Sequence, residues 1–178
     1  MKHLTLVVVL AAFAGCKDKP ATKPPASPGP TATAVLEPRS GANVTGTLTF
    51  RTVGAGVEVS GTVEGLAPGD HGFHVHEYGD CTAPDATSAG GHFNPHGQPH
   101  GAPDADAHHA GDVGNLTAGD DGKATKRFVM KGVTLADDAT SIVGKAFIVH
   151  EKADDLKTQP TGDAGGRVAC GVIRLDAR

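Results

Sequence analysis

An all-β fold, eight short antiparallel strands closing as a sandwich or barrel, is what this sequence predicts. Three observations lead there. The chain carries 25 Gly and 12 Pro in 178 residues, about one residue in five and close to double the usual share. Long helices tolerate such a share poorly, whereas turns and bulges use it, so a helical bundle is excluded. Apolar residues alternate with polar ones over short runs, and Gly-rich joints separate the runs.

The runs follow in order. Thr31–Glu37 opens the set. Val44, Gly46, Leu48 and Phe50 share one parity, as do Val57, Val59, Gly61 and Val63, and Gly54-Ala55-Gly56 between them reads as a hairpin turn. Gly72–His76, Asp112–Thr117, Ala124–Met130, Ser141–His150 and Arg167–Leu175 complete eight strands. Two connections are long, 77–111 and 151–166. Long structureless loops in a compact domain are usually functional. No internal repeat is present, and 34–178 has the length of one domain.

The first 33 residues are of another kind. Met1-Lys2-His3 and the apolar run Leu4 to Gly15 read as a secretory signal, too short to span a membrane. The run ends Phe13-Ala14-Gly15-Cys16, which resembles the lipobox of bacterial lipoproteins. That resemblance implies cleavage after residue 15 and a lipid on Cys16; the alternative is an ordinary secretory signal. Residues 16–33 hold five prolines among Ala, Lys, Thr and Ser, and read as an extended tether. With Cys16 lipidated, Cys81 and Cys170 are left as an even pair in an oxidising compartment.

Charge gives little direction: the net charge is −4 and no basic nucleic-acid footprint stands out. Ten histidines point to metal chemistry instead. In His74-Val75-His76, both imidazoles lie on one face of a strand while Phe73 and Val75 enter the core. By the same parity Phe147 and Val149 face inward and His150 outward at a strand end. The first long loop carries His92, His100, His109 and Asp112, spaced 8, 9 and 3 residues apart. Three imidazoles and a carboxylate suit tetrahedral zinc, whose binding would order a loop with little core; the bland alternative is a solvated His-rich loop.

Taken together, Gly72-Phe73-His74-Val75-His76-Glu77, Gly91-His92-Phe93-Asn94-Pro95, His109-Ala110-Gly111-Asp112, Val149-His150-Glu151 and Gly166-Arg167-Val168-Ala169-Cys170-Gly171-Val172-Ile173 resemble copper/zinc superoxide dismutase. The resemblance runs in order over nearly the whole domain and implies a Greek-key barrel. It implies copper held by His74, His76, His92 and His150, and zinc held by His92, His100, His109 and Asp112, one ion of each per chain. His92 then serves both ions. The resemblance further implies that Asp154 bridges the free nitrogens of His74 and His100, that Cys81 and Cys170 form a disulfide, and that Arg167 positions the anion. His71 matches a structural histidine, while His96 and His108 match no ligand.

The implied reaction converts two superoxide anions to dioxygen and hydrogen peroxide, with Arg167 and His92 as its catalytic side chains. The segment between Asp155 and Arg167 is short and lacks an acidic pair, a pattern that looks like the bacterial branch; Lys152 and Lys157 are candidate steering charges. Expected partners are superoxide and, through the lipid, a membrane; no nucleic acid is expected, and the chain is a monomer or homodimer. The implied location is the bacterial cell envelope. Lys17 rather than Asp follows the Cys, which favours the outer membrane and periplasm.

Overall fold

The computed structural model describes residues 29–177. The signal segment, Cys16 and residues 17–28 of the tether lie outside the described residues, and the last three tether residues, Thr31, Ala32 and Thr33, pair with β2 as the start of a strand. Nine strands follow in order: β1 Thr31–Pro38, β2 Thr45–Val53, β3 Gly56–Glu64, β4 Gly69–His76, β5 Asp112–Ala118, β6 Lys123–Lys131, β7 Ala146–His150, β8 Arg167–Val172 and β9 Arg174–Leu175. A three-residue 3-10 turn, Thr87–Ala89, lies in the first long loop. Among the described residues no helix is long and apolar enough to cross a membrane.

All ladders are antiparallel and run in the order β5-β4-β7-β8-β1-β2-β3-β6, with β9 pairing β1. The two ends of that order, β5 and β6, meet at a seam where Lys126 Nζ on β6 donates to the Asn115 carbonyl on β5. Across the seam the spatial order β7-β4-β5-β6 places three consecutive strands beside a fourth that returns next to the first, which is a Greek key. The fold is therefore the nearly closed Greek-key β-barrel that the resemblance implies.

Period-two alternation explains the core. Ala32, Ala34, Leu36, Leu48, Phe50, Val57, Val59, Val63, Phe73, Val75, Phe147 and Val149 are all buried in one cluster. Phe147 sits at its centre, 4.3 Å from Phe73 and 6.0 Å from Phe50 between ring centroids. The β2–β3 hairpin closes through Gly54 and Ala55 between the paired Val53 and Gly56, and Gly54 takes the left-handed φ of 58° that such a tight turn needs.

β4 starts three residues before the expected Gly72, and two other runs differ more from the sequence expectation. The run Ser141–His150 is extended only from Ala146. Ser141 makes an isolated bridge to Thr134, Ile142 N donates to the Thr134 carbonyl, and Gly144 turns the chain at φ 76°. Ile142 is fully buried, so its apolar character reflects loop packing rather than a strand face. The run Arg167–Leu175 breaks at Ile173, whose side chain is buried and whose N–H bonds to the Lys145 carbonyl, leaving β9 as a separate two-residue strand.

A second, smaller core lies outside the barrel, under the first long loop. Ala86, Ala89, Ala146, Ile148 and Cys170 form it, with Cys81 packed against it. Cys81 and Cys170 are joined by a disulfide whose Cα atoms lie 5.8 Å apart. The bridge pins the start of the first loop to β8. Arg39 supports the same corner, its Nε donating to the Cys81 carbonyl at 2.9 Å.

Candidate metal centre

Strand parity builds the site from β4 outward. Phe73 and Val75 fill the barrel, so His74 and His76 stand on its outer face, yet both are fully buried because the two long loops fold over them. β7 pairs with β4, and a register shift between Val149 and His150 brings His150 to the end of the same outer face. His92 arrives from the first loop through an isolated bridge to His76. His100 and His109 follow on that loop, and Asp112 opens β5.

Two donor groups result. One ligand atom each from His74, His76, His92 and His150 lie within 4.8 Å of one another, and so do those from His92, His100, His109 and Asp112. His92 belongs to both groups. Its Nδ1 is 2.7 Å from Asp112 Oδ1, while His100 Nδ1 and His109 Nδ1 lie 3.0 and 3.3 Å from the same oxygen. In the other group, His76 Nε2 and His150 Nε2 face each other at 3.3 Å.

The opposite edge of most of these rings is fixed. His74 Nε2 donates to Asp154 Oδ2 at 2.7 Å, and His100 Nε2 donates to Asp154 Oδ1 at 3.0 Å. His76 Nδ1 donates to the Gly90 carbonyl at 3.0 Å, and His150 Nδ1 to the Gly165 carbonyl at 3.3 Å. Partners of this kind choose the tautomer and aim the free lone pair. Asp112 Oδ2 accepts from the backbone N–H of Gly101 and of His109, which orients its Oδ1.

The aimed atoms are the unusual ones. His74 Nδ1, His92 Nε2, His100 Nδ1 and His109 Nδ1 are buried and lack any hydrogen-bond partner; the approaches of His100 and His109 to Asp112 are close but not aligned as bonds. Each such orphan costs about 1–3 kcal/mol in a folded protein. A bound cation repays that cost, so the residues fit metal ions. Four ring nitrogens suit a tetragonal copper(II), and three nitrogens with a carboxylate suit a tetrahedral zinc(II).

Electrostatics prepares the same chemistry. Burial, reinforced by the neighbouring His92, holds the His74 and His76 imidazolium forms well below the ordinary histidine range. Burial pushes His150 down to about 4. Burial also lowers His109, against the pull of Asp112. For Asp112 burial acts upward, but the hydrogen bond and charge of His92 and the Gly101 N–H outweigh it and hold the carboxyl well below its usual range. At neutral pH these four imidazoles present lone pairs and the carboxylate is charged.

Arg167 begins β8 beside this face. Its two terminal nitrogens donate to the carbonyls of Ala86 at 2.7 Å and Gly90 at 2.6 Å, so the fork is held by the first loop. Ala86 holds a left-handed φ of 58°, a conformation a non-glycine residue adopts rarely. Gly90 also receives His76, so one carbonyl ties the guanidinium to an imidazole of the cluster.

His71 lies between two carbonyls, 2.8 Å from that of His150 and 2.9 Å from that of Ala67. His96 is exposed, and His108 Nδ1 donates to the His109 carbonyl. Lys152 and Lys157 are exposed on the second loop.

Three residues of the site escape sequence reasoning. Asn115 sits mid-strand in β5, where Asn is a poor strand former, and that mismatch is the one signal pointing to it. Gln159 carries no signal in its segment. Gly162 has a φ of 72°, and a Cβ there would clash with Asp154 Oδ1, so no larger residue fits beside that carboxylate.

A family model described as copper/zinc superoxide dismutase matches residues 44–173. The crystal structure of the clock protein EA4 is similar in fold and sequence, with a TM-score of 0.74 and 40% identity. That similarity covers 81% of this chain and 93% of the other.

Proposed function

Because the chain belongs to the copper/zinc superoxide dismutase family, we propose that it is an active dismutase of superoxide in a bacterial cell envelope. The observation that carries this reading is His92. It is shared by two buried donor groups, one nitrogen directed at Asp112 and the other unpartnered beside His74, His76 and His150. In this reading His74, His76, His92 and His150 would hold copper, and His92, His100, His109 and Asp112 would hold zinc, one ion of each per chain.

Copper, when bound, would supply a one-electron couple for oxidising one superoxide to dioxygen and reducing the next, with two protons, to hydrogen peroxide; zinc, with a filled d shell, would be redox-silent. The chain does the rest. His92 Nε2 is the atom at which a proton is held and released, because the ring's other nitrogen faces Asp112. Asp154 fixes the rings of His74 and His100 from behind. Arg167 offers a permanently charged fork to the incoming anion. Lys152 and Lys157 add positive charge at the rim, which counters a net charge of −4 for an anionic substrate.

The segment between Asp155 and Arg167 is short and lacks an acidic pair, which supports placement in the bacterial branch. A lipid on Cys16 and the tether of residues 16–33 would hold the domain off the outer-membrane surface. The second reading is metal binding without turnover, favoured by a relative described as a clock protein. The complete donor groups and the presence of Arg167 weigh for the enzyme.

The test is metal analysis of the purified protein alongside a superoxide-consumption assay. The expected result is one copper and one zinc per chain, loss of activity on chelation, and recovery only when copper is returned. A protein that carries both metals and consumes no superoxide overturns the enzymatic reading.

A further inference from the structure

Two side-chain amides beyond the donor groups bond to the backbone of residues within the site in the same way. A primary carboxamide carries a donor and an acceptor side by side, so it can grip both the N–H and the C=O of one residue, as a neighbouring strand would. Asn115 on β5 does this to Asp154: Nδ2 donates to the Asp154 carbonyl at 2.9 Å and Oδ1 accepts from the Asp154 N–H at 2.7 Å. Gln159 on the second loop does it to His100: Nε2 donates to the His100 carbonyl at 2.8 Å and Oε1 accepts from the His100 N–H at 2.9 Å.

We propose that Asn115 and Gln159 are positioning residues, a pair of amide clamps that pre-set the zinc half of the centre, a proposal that rests on the two-metal reading above. The clamps close a circuit. β5 holds Asp154 through Asn115; Asp154 holds His74 and His100 through its carboxylate; Gln159 returns from the second loop to hold the backbone of His100. His100 needs this more than its partners. His92 is bridged to β4 and His109 lies three residues before β5, with its N–H on Asp112, whereas His100 lies midway between them on a strandless loop.

The two clamps act on different sets of groups. Among the residues of the two donor groups Gln159 grips His100 alone, its Nε2 also donating to the Lys157 carbonyl at 3.2 Å. Asn115 acts through a carboxylate shared by His74 and His100, so it reaches both halves of the centre.

The experiment measures zinc affinity by chelator competition, the visible spectrum of cobalt(II) in the zinc position, and copper(II) electron paramagnetic resonance, on the full chain and its variants. Gln159→Ala is expected to weaken zinc about tenfold, the low end for partners behind a ligand, and to shift the cobalt spectrum while leaving the copper spectrum unchanged. Gln159→Glu keeps the size and loses the donor, and is expected to bind zinc no better than Gln159→Ala. Asn115→Ala is expected to weaken zinc at least as much and to alter the copper spectrum as well. Gln159 is exposed, so its variants test the pair even if Asn115→Ala folds poorly.

Zinc affinity in Gln159→Ala equal to the parent's, full rescue by Gln159→Glu, or equal loss at both metals in Gln159→Ala would each overturn the proposal. A parent chain that binds no zinc overturns the two-metal reading and this proposal with it.

Discussion

Loss of the Cys81–Cys170 bridge is expected to lower the free energy of unfolding by about 4–5 kcal/mol, as a loop of this length does in the chain-entropy model. The bridge joins residues 89 apart in sequence, so it removes much of the freedom of the unfolded chain. Stabilities of single domains run to about 5–15 kcal/mol, so this one bond decides whether the metal-free fold is robust. The consequence extends to the site. Between Cys81 and His92 lie the Ala86 and Gly90 carbonyls that hold Arg167, and Gly90 also holds His76. Denaturant unfolding of the metal-free Cys81→Ala/Cys170→Ala variant against the oxidised parent checks this. Equal unfolding midpoints would mean that the packing of Ala86, Ala89 and Ile148 suffices without the covalent link.

Substitution of the proposed anion guide gives the second large effect. Arg167→Ala is expected to slow superoxide removal by roughly 10- to 100-fold, the equivalent of one charge-assisted contact of about 1.5–3 kcal/mol lost in the transition state. Copper and zinc content are expected to stay at the parent level, because Arg167 contributes no atom to either donor group. Arg167→Lys keeps the charge but cannot reproduce a fork that reaches two carbonyls at once, so an intermediate rate is expected. The check is a rate measured at several ionic strengths with metal content determined on the same sample. A parental rate in Arg167→Ala would remove this residue from the account.

Much of this architecture is legible in residue order because its signals are local. Alternation places Phe73 and Val75 inside and His74 and His76 outside, and the barrel follows that rule. The pairing of Cys81 with Cys170 was implied by the family resemblance and is present. What escaped depends on contacts between distant segments. Ile142 and Val143 read as strand, yet Ile142 is buried by a loop and Gly144 turns the chain away. Asn115 and Gln159 act on backbone 39 and 59 residues distant in sequence, and no periodicity encodes that. Ala86 takes a left-handed φ that its residue type does not announce; only the carbonyl it turns toward Arg167 gives it meaning.

One imidazole, that of His92, carries two tasks. Crystals of the metal-loaded protein, measured with X-rays tuned to the copper and then the zinc absorption edge, test this most directly. The expected result is one anomalous peak of each element on opposite sides of the His92 ring, copper toward Nε2 and zinc toward Nδ1. Two peaks of the same element in the fully loaded protein, or a His92 ring bonded to neither, would contradict it.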